Sequence, residues 1–80
     1  GMPDYCRLVE GIVKQLVTVS DAVSVTEERD SGTVRVKVSV DPQDLGRVIG
    51  RRGVTVNAIR TVVKAASMKS GERVEVDVVE

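Results

Sequence analysis

Between Tyr5 and Leu16 the apolar residues fall three and four apart. Tyr5, Leu8, Val9, Ile12, Val13 and Leu16 share one face, and Arg7, Glu10 and Lys14 stand off it. That period predicts an amphipathic helix over residues 4–18, opened by Asp4 after Pro3. The period then shortens to two. Residues 22–28 are rich in β-branched side chains, with Val23 and Val25 on one side. In residues 33–40, Val34, Val36, Val38 and Val40 alternate with Arg35, Lys37 and Ser39, the pattern of a strand with one buried face. Asp30-Ser31-Gly32 between them reads as a hairpin turn, because Gly tolerates positive φ and Asp and Ser bond their own backbone.

Asp41-Pro42-Gln43-Asp44 then signals a helix start: Asp41 caps, Pro42 takes the first helical position, and Asp44 lies three residues beyond the cap. The helix it opens is short, with Leu45, Val48 and Ile49 as its apolar face, and it runs into Gly50. A further helix is predicted over 54–68. Val56, Ile59, Val63 and Ala66 point inward, Arg60 and Lys64 point outward at i, i+4, and Ser70-Gly71 closes it. Residues 73–79 form a third strand, with Val74, Val76 and Val78 on one face.

The order is helix, strand, strand, helix, helix, strand. Three valine-faced strands and three striped helices predict a two-layer α+β sandwich, with the helices on one face of the sheet. The connection between the second and third strands carries both later helices, which allows those strands to run parallel through a right-handed crossover. With 80 residues and no internal repeat or linker, the chain is expected to be one domain over residues 2–80. Gly1 ahead of Met2 is read as the remnant of an expression tag.

Composition narrows the function. A single Cys6 builds neither an internal disulfide nor a zinc site, and histidine, the commonest general base, is absent. No catalytic residue, metal ligand or cofactor site is assigned, and no enzyme is expected. Cys6 is read as an ordinary thiol, and Tyr5, the sole aromatic, as core. Glu72, Glu75, Asp77 and Glu80 are read as a solvated face. With no long apolar run and no leader, the expected location is cytoplasmic. The net charge of zero hides a split. Residues 46–71 hold Arg47, Arg51, Arg52, Arg60, Lys64 and Lys69 and no acid, a charge of +6 against −6 for the remainder. A local field of that sign attracts polyanions.

At the head of the basic segment stands Val48-Ile49-Gly50-Arg51-Arg52-Gly53. The spacing is neither the dinucleotide fingerprint nor a P-loop. Two glycines between helices let the backbone turn sharply and let another backbone approach without a Cβ clash. The following helix aims its N-terminal amides at the same place. Arg51 and Arg52 add two permanent charges that bond phosphate oxygens bidentately. Ile49 and Val56 offer apolar surface for a base beside the phosphate track.

This arrangement resembles the KH domain, in which a G-X-X-G loop between two helices clamps the backbone of about four single-stranded nucleotides. The stretch "VIGRRGVTVNAIRTVVKAAS" is similar to that family's loop and helix, and the element order is similar to its type II form, with three helices on a three-stranded mixed sheet. A bare KH domain with "LVEGIVKQLV" in its first helix is similar to the small stand-alone bacterial proteins of the KhpA family. The resemblance implies RNA binding with low sequence specificity, a role in RNA chaperoning or post-transcriptional regulation, and self-pairing or pairing with a larger multidomain KH protein. It makes Gly50, Arg51, Arg52 and Gly53 the clamp and Ile49 and Val56 part of the groove; Arg47 and Arg60, from the basic segment, are read as further RNA contacts. The position after the loop, often basic in these proteins, is Val54 here, which removes one phosphate contact. The base groove is expected beside the strand carrying Val36 and Val38. RRM and OB-fold readers stack bases on aromatic side chains, which this chain lacks. Two other readings stay open: a protein-interaction module pairing through the loop and helix, and a single-stranded DNA binder.

Overall fold

Asp4 opens the first helix of the computed structural model, which describes residues 4–80; Gly1, Met2 and Pro3, and with them the residue read as a tag remnant and the expected Pro3 start, lie outside the described residues. The Asp4 carboxylate accepts from the Arg7 N–H at 3.0 Å, satisfying one of the helix's free N-terminal amides. Helix α1 runs Tyr5–Leu16 and buries Tyr5, Val9 and Val13. It ends where Val17 turns extended. A 3₁₀ turn at Ser20–Ala22 follows, so the first strand, β1, starts later than its β-branched content suggests and spans Ser24–Asp30.

Strand β2, Thr33–Ser39, pairs antiparallel with β1 across a two-residue turn. Ser31 and Gly32 both take positive φ, +50° and +84°, the type I′ geometry whose twist matches the flanking strands. Helix α2 spans Leu45–Ile49, helix α3 Val54–Ser67 and strand β3 Arg73–Val78. The sheet order is β1-β2-β3, with β3 parallel to β2 and Val34, Val36 and Val38 opposite Val74, Val76 and Val78. The fold is the expected α+β sandwich, three helices on one face of a mixed three-stranded sheet.

β2 is central, so the helices cover its valines completely. Val34, Val36, Val38, Val48 and Val63 lie with Tyr5, Val9, Val13, Ile59 and Val76 in one cluster. Tyr5 is a core residue, and its hydroxyl reaches Ser70 Oγ at 2.9 Å and Glu72. Glu72 also takes Arg29, tying the α3–β3 turn to the hairpin. This end of the molecule is closed by polar bonds. The other end carries α2 and the glycine loop.

Candidate nucleic-acid interface

The loop's shape begins with the helix that delivers it. Asp41 caps a 3₁₀ turn at Pro42–Asp44 by accepting from Gln43 N–H at 3.0 Å, and that turn leads directly into α2. Asp44 is therefore not the reciprocal acid of a capping box. Its carboxylate is fully buried and accepts from Thr18 N–H at 3.0 Å, Thr18 Oγ1 at 2.8 Å and Val19 N–H at 3.0 Å. Arg47 Nε stands 3.8 Å away. Burial pushes this carboxyl up, but the bonds from Thr18 and Val19 and the Arg47 charge outweigh it and hold the group below the ordinary carboxylate range. Asp44 thus fastens the start of α2 to the segment after α1.

At the other end of α2, Gly50 N–H closes onto Gly46 O at 2.9 Å and the backbone swings to φ 77°, ψ 169°. Only glycine adopts that conformation readily. Space forbids a side chain as well, since a Cβ on Gly50 would lie 2.3 Å from Thr55 Oγ1 and 2.7 Å from Thr55 N. Gly53 N–H returns to Gly50 O at 3.1 Å, and Gly53 is left-handed at φ 76°, ψ 12°. Between them Arg52 is also left-handed, at φ 58°, ψ 26°. A non-glycine residue there costs about 1 kcal/mol or more, strain of the kind concentrated at ligand clamps. Helix α3 starts at Val54, whose N–H bonds Arg51 O, and the next N-terminal amides of the helix adjoin the turn.

Arg51 and Arg52 are exposed, and no ion pair among the described residues includes them. Their charges face solvent uncompensated. Ile49 is half-buried and Val56 buried, and both line a groove of about 390 Å³ with Arg60, Asp77, Val78 and Glu80. The strand along this groove is β3, not β2: Val36 and Val38 sit under the helices at 0% and 1% exposure, and only an edge strand borders an open channel. Arg60 does not simply point into solvent. Its Nε donates to Val76 O and its Nη1 to Asn57 Oδ1, each at 3.0 Å, which lays the guanidinium across the groove. Arg47 stays exposed on α2 beside Asp44.

The side of α3 away from the core carries an exposed, mainly apolar stripe, a feature absent from the expectation, which only pointed Arg60 and Lys64 outward. Val54, Ala58, Val62, Ala65 and Met68 recur three and four apart, with Val54 63% and Met68 78% exposed. Arg60 and Lys64 are exposed, as expected, on the groove side of the helix. The signal was present in the helical period; it is visible only when two apolar stripes, not one, are counted along α3. Burial, followed by the charges of Glu27, Asp4 and Glu10, pushes the Cys6 thiol up, so it stays protonated near neutral pH. Among the described residues no helix is long and apolar enough to cross a membrane.

The family described as "KhpA/KhpB, KH domain" matches residues 7–78. The "RNA-binding protein KhpA" of Clostridium acetobutylicum is 41% identical over 73 residues, covering 91% of this chain and 97% of its own. The protein of that name in Caldanaerobacter subterraneus subsp. tengcongensis is 43% identical with the same coverage. In Aquifex aeolicus it is 41% identical, covering 91% of this chain and 92% of its own. The family match spans nearly all of the α-β-β-α-α-β unit, and the chain belongs to the KhpA/KhpB KH-domain family.

Proposed function

We propose that this chain, as a single KH domain over residues 2–80, binds single-stranded RNA without catalysis. Phosphates lie against the Gly50–Gly53 turn, the first amides of α3, Arg51 and Arg52, with Arg47 nearby. Bases lie in the groove of Ile49, Val56, Arg60 and Val78. The observation that carries the reading is the turn itself. Two arginines outside every ion pair among the described residues stand in a turn whose Arg52 and Gly53 are left-handed, at a helix start, beside the groove that Ile49 and Val56 line. The name shared by the relatives, "RNA-binding protein KhpA", supports it. Backbone contacts hold a strand without reading its sequence, so the module is weakly selective and suits RNA chaperoning or post-transcriptional regulation in the cytoplasm.

Fluorescence anisotropy with a labelled mixed-sequence RNA tests this reading. We expect saturable binding whose log affinity falls with log salt at a slope of about −1.4 or steeper, the share of two phosphate contacts on a single strand. Unlabelled RNA should displace the probe more effectively than DNA of the same sequence. Absence of binding, or stronger displacement by DNA, overturns the assignment.

Pairing of two domains accompanies the function, because a small clamp gains strongly from avidity. The apolar outer face of α3 supports this, with Val62 46% exposed at its middle. It provides for a homodimer, or for a heterodimer with a larger multidomain KH protein. Sedimentation equilibrium should show the parent as a dimer and Val62→Glu as a folded monomer; an unchanged mass for the variant removes this face from consideration.

A further inference from the structure

The outer stripe of α3 reads alike in both directions. Val54, Ala58, Val62, Ala65 and Met68 alternate large and small along it, and the Thr61–Val62 step is its midpoint. Reversed about that step, Ala58 falls opposite Ala65, Val54 opposite Met68 and Lys69, and Val62 beside its own copy. A two-fold axis requires such self-complementarity, because one surface must meet itself. We propose that a second copy packs antiparallel on this stripe and that Lys69 of each chain completes the phosphate clamp of the other, an inference that rests on the RNA and pairing readings above.

The helix geometry decides which clamp Lys69 serves. Met68 keeps helical dihedrals, φ −62° and ψ −35°, so the chain reaches Lys69 on the helical path. Lys69 comes seven residues after Val62, close to two full turns, and so stands on the same side of the helix. The turn of its own chain is out of reach, since the 14 residues of α3 hold the two apart by about 21 Å. In an antiparallel pair the helix axes lie about 8–10 Å apart. Lys69 then stands beside the partner's Val54, at the helix start that adjoins Arg51 and Arg52.

Charge says what fills this junction. Residues 46–71 contain no acid, so each end of the pair gathers Arg51, Arg52 and a lysine of the other chain with nothing negative among them. Lys69 is exposed and enters no ion pair among the described residues. Three converging cations repel until an anion enters, and a phosphate held by the turn is that anion. RNA and pairing thereby reinforce each other: the strand neutralises the junction, and the junction adds a contact to the strand. A second copy is the occupant that meets both requirements, a stripe matched to this one and a cation at its end.

The test uses a labelled mixed-sequence RNA of about four nucleotides, the length one clamp holds. Lys69→Ala should bind it roughly tenfold more weakly than the parent, with a salt slope shallower by about 0.7, the share of one phosphate. In the Val62→Glu monomer the same substitution should change neither quantity. Mixing Lys69→Ala with the Arg51→Asp, Arg52→Asp chain should restore sites of parental affinity, because in the mixed dimer an intact turn meets an intact lysine of the other chain. No loss in Lys69→Ala overturns the contact and leaves the clamp standing. Equal losses in the dimeric and monomeric backgrounds put Lys69 in its own chain's site and overturn it too, as does a mixture that restores nothing. A parent that sediments as a monomer, or Val62→Glu that stays dimeric, removes the stripe and the contact but not the clamp. A parent that binds no RNA removes clamp and contact together.

Discussion

Arg51→Asp combined with Arg52→Asp should lower RNA affinity at least 100-fold while leaving the circular dichroism spectrum, Tm and oligomeric state of the parent. The size follows from the two charged hydrogen bonds to phosphate that the variant cannot make. A hydrogen bond to a charged group contributes about 1.5–3 kcal/mol, so two together account for roughly two decades or more in Kd. Reversing the sign adds repulsion of the phosphates. The fold survives because neither arginine contributes to it: both are exposed and outside every ion pair among the described residues. The left-handed backbone at residue 52 also suits aspartate, which tolerates that region better than most residues. The same double variant separates RNA binding from the interaction-module reading, in which the loop serves protein contact. Retained RNA affinity in a folded variant would sink the clamp. Gly50→Ala gives a useful contrast, since its Cβ collides with Thr55 and its φ of 77° disfavours any side chain. That variant should lose RNA binding together with the local geometry of the loop, visible as amide shifts over the first turn of α3.

What was legible in the sequence and what was not divides along a physical line. Local information was enough for the strands of alternating valine, for α1 and for the Ser31-Gly32 turn, because period and turn chemistry act within a few residues. It was also enough to single out the Gly50–Gly53 turn, whose spacing and charge stand out on the chain. Strand order was less accessible. The valines of β2 and β3 read identically along the chain, yet only the edge strand borders the groove, and burial of Val36 and Val38 is decided by what packs on both sides of them. Arg60 shows the same limit: it and Lys64 are exposed, as their i, i+4 relation predicts, but the carbonyl Arg60 reaches belongs to Val76, on another element.

Asp44 is the residue where local reading and tertiary structure part most clearly, and it carries the largest expected effect on stability. At three residues beyond Asp41 it fits a capping role, but its partners, Thr18 and Val19, lie 26 and 25 positions away. Asp44→Ala should lower Tm by about 10 °C or more, because it leaves the Thr18 and Val19 amides without their acceptor and empties a closed site. Asp44→Asn keeps the shape but turns an NH₂ toward donors that need oxygen, so it too should destabilise, less severely. The two differ from the parent in pH dependence as well. The folded carboxyl lies below its ordinary value, so the unfolded chain binds the proton first and stability rises with pH through that window. Its contribution is complete above about pH 5, where the unfolded group, near 3.9, is ionised, and drains away as pH falls through the lower folded value. Thermal melts between pH 3 and pH 7 should therefore show the parent losing more Tm on acidification than Asp44→Asn, with the two curves converging at the acid end. Parallel curves would mean that Thr18 and Val19 do not favour the ionised carboxylate, and that α2 is anchored by Val48 and its apolar neighbours alone. Convergence would instead make the buried carboxylate the fastening that holds α2, and hence Gly50, in register with α3.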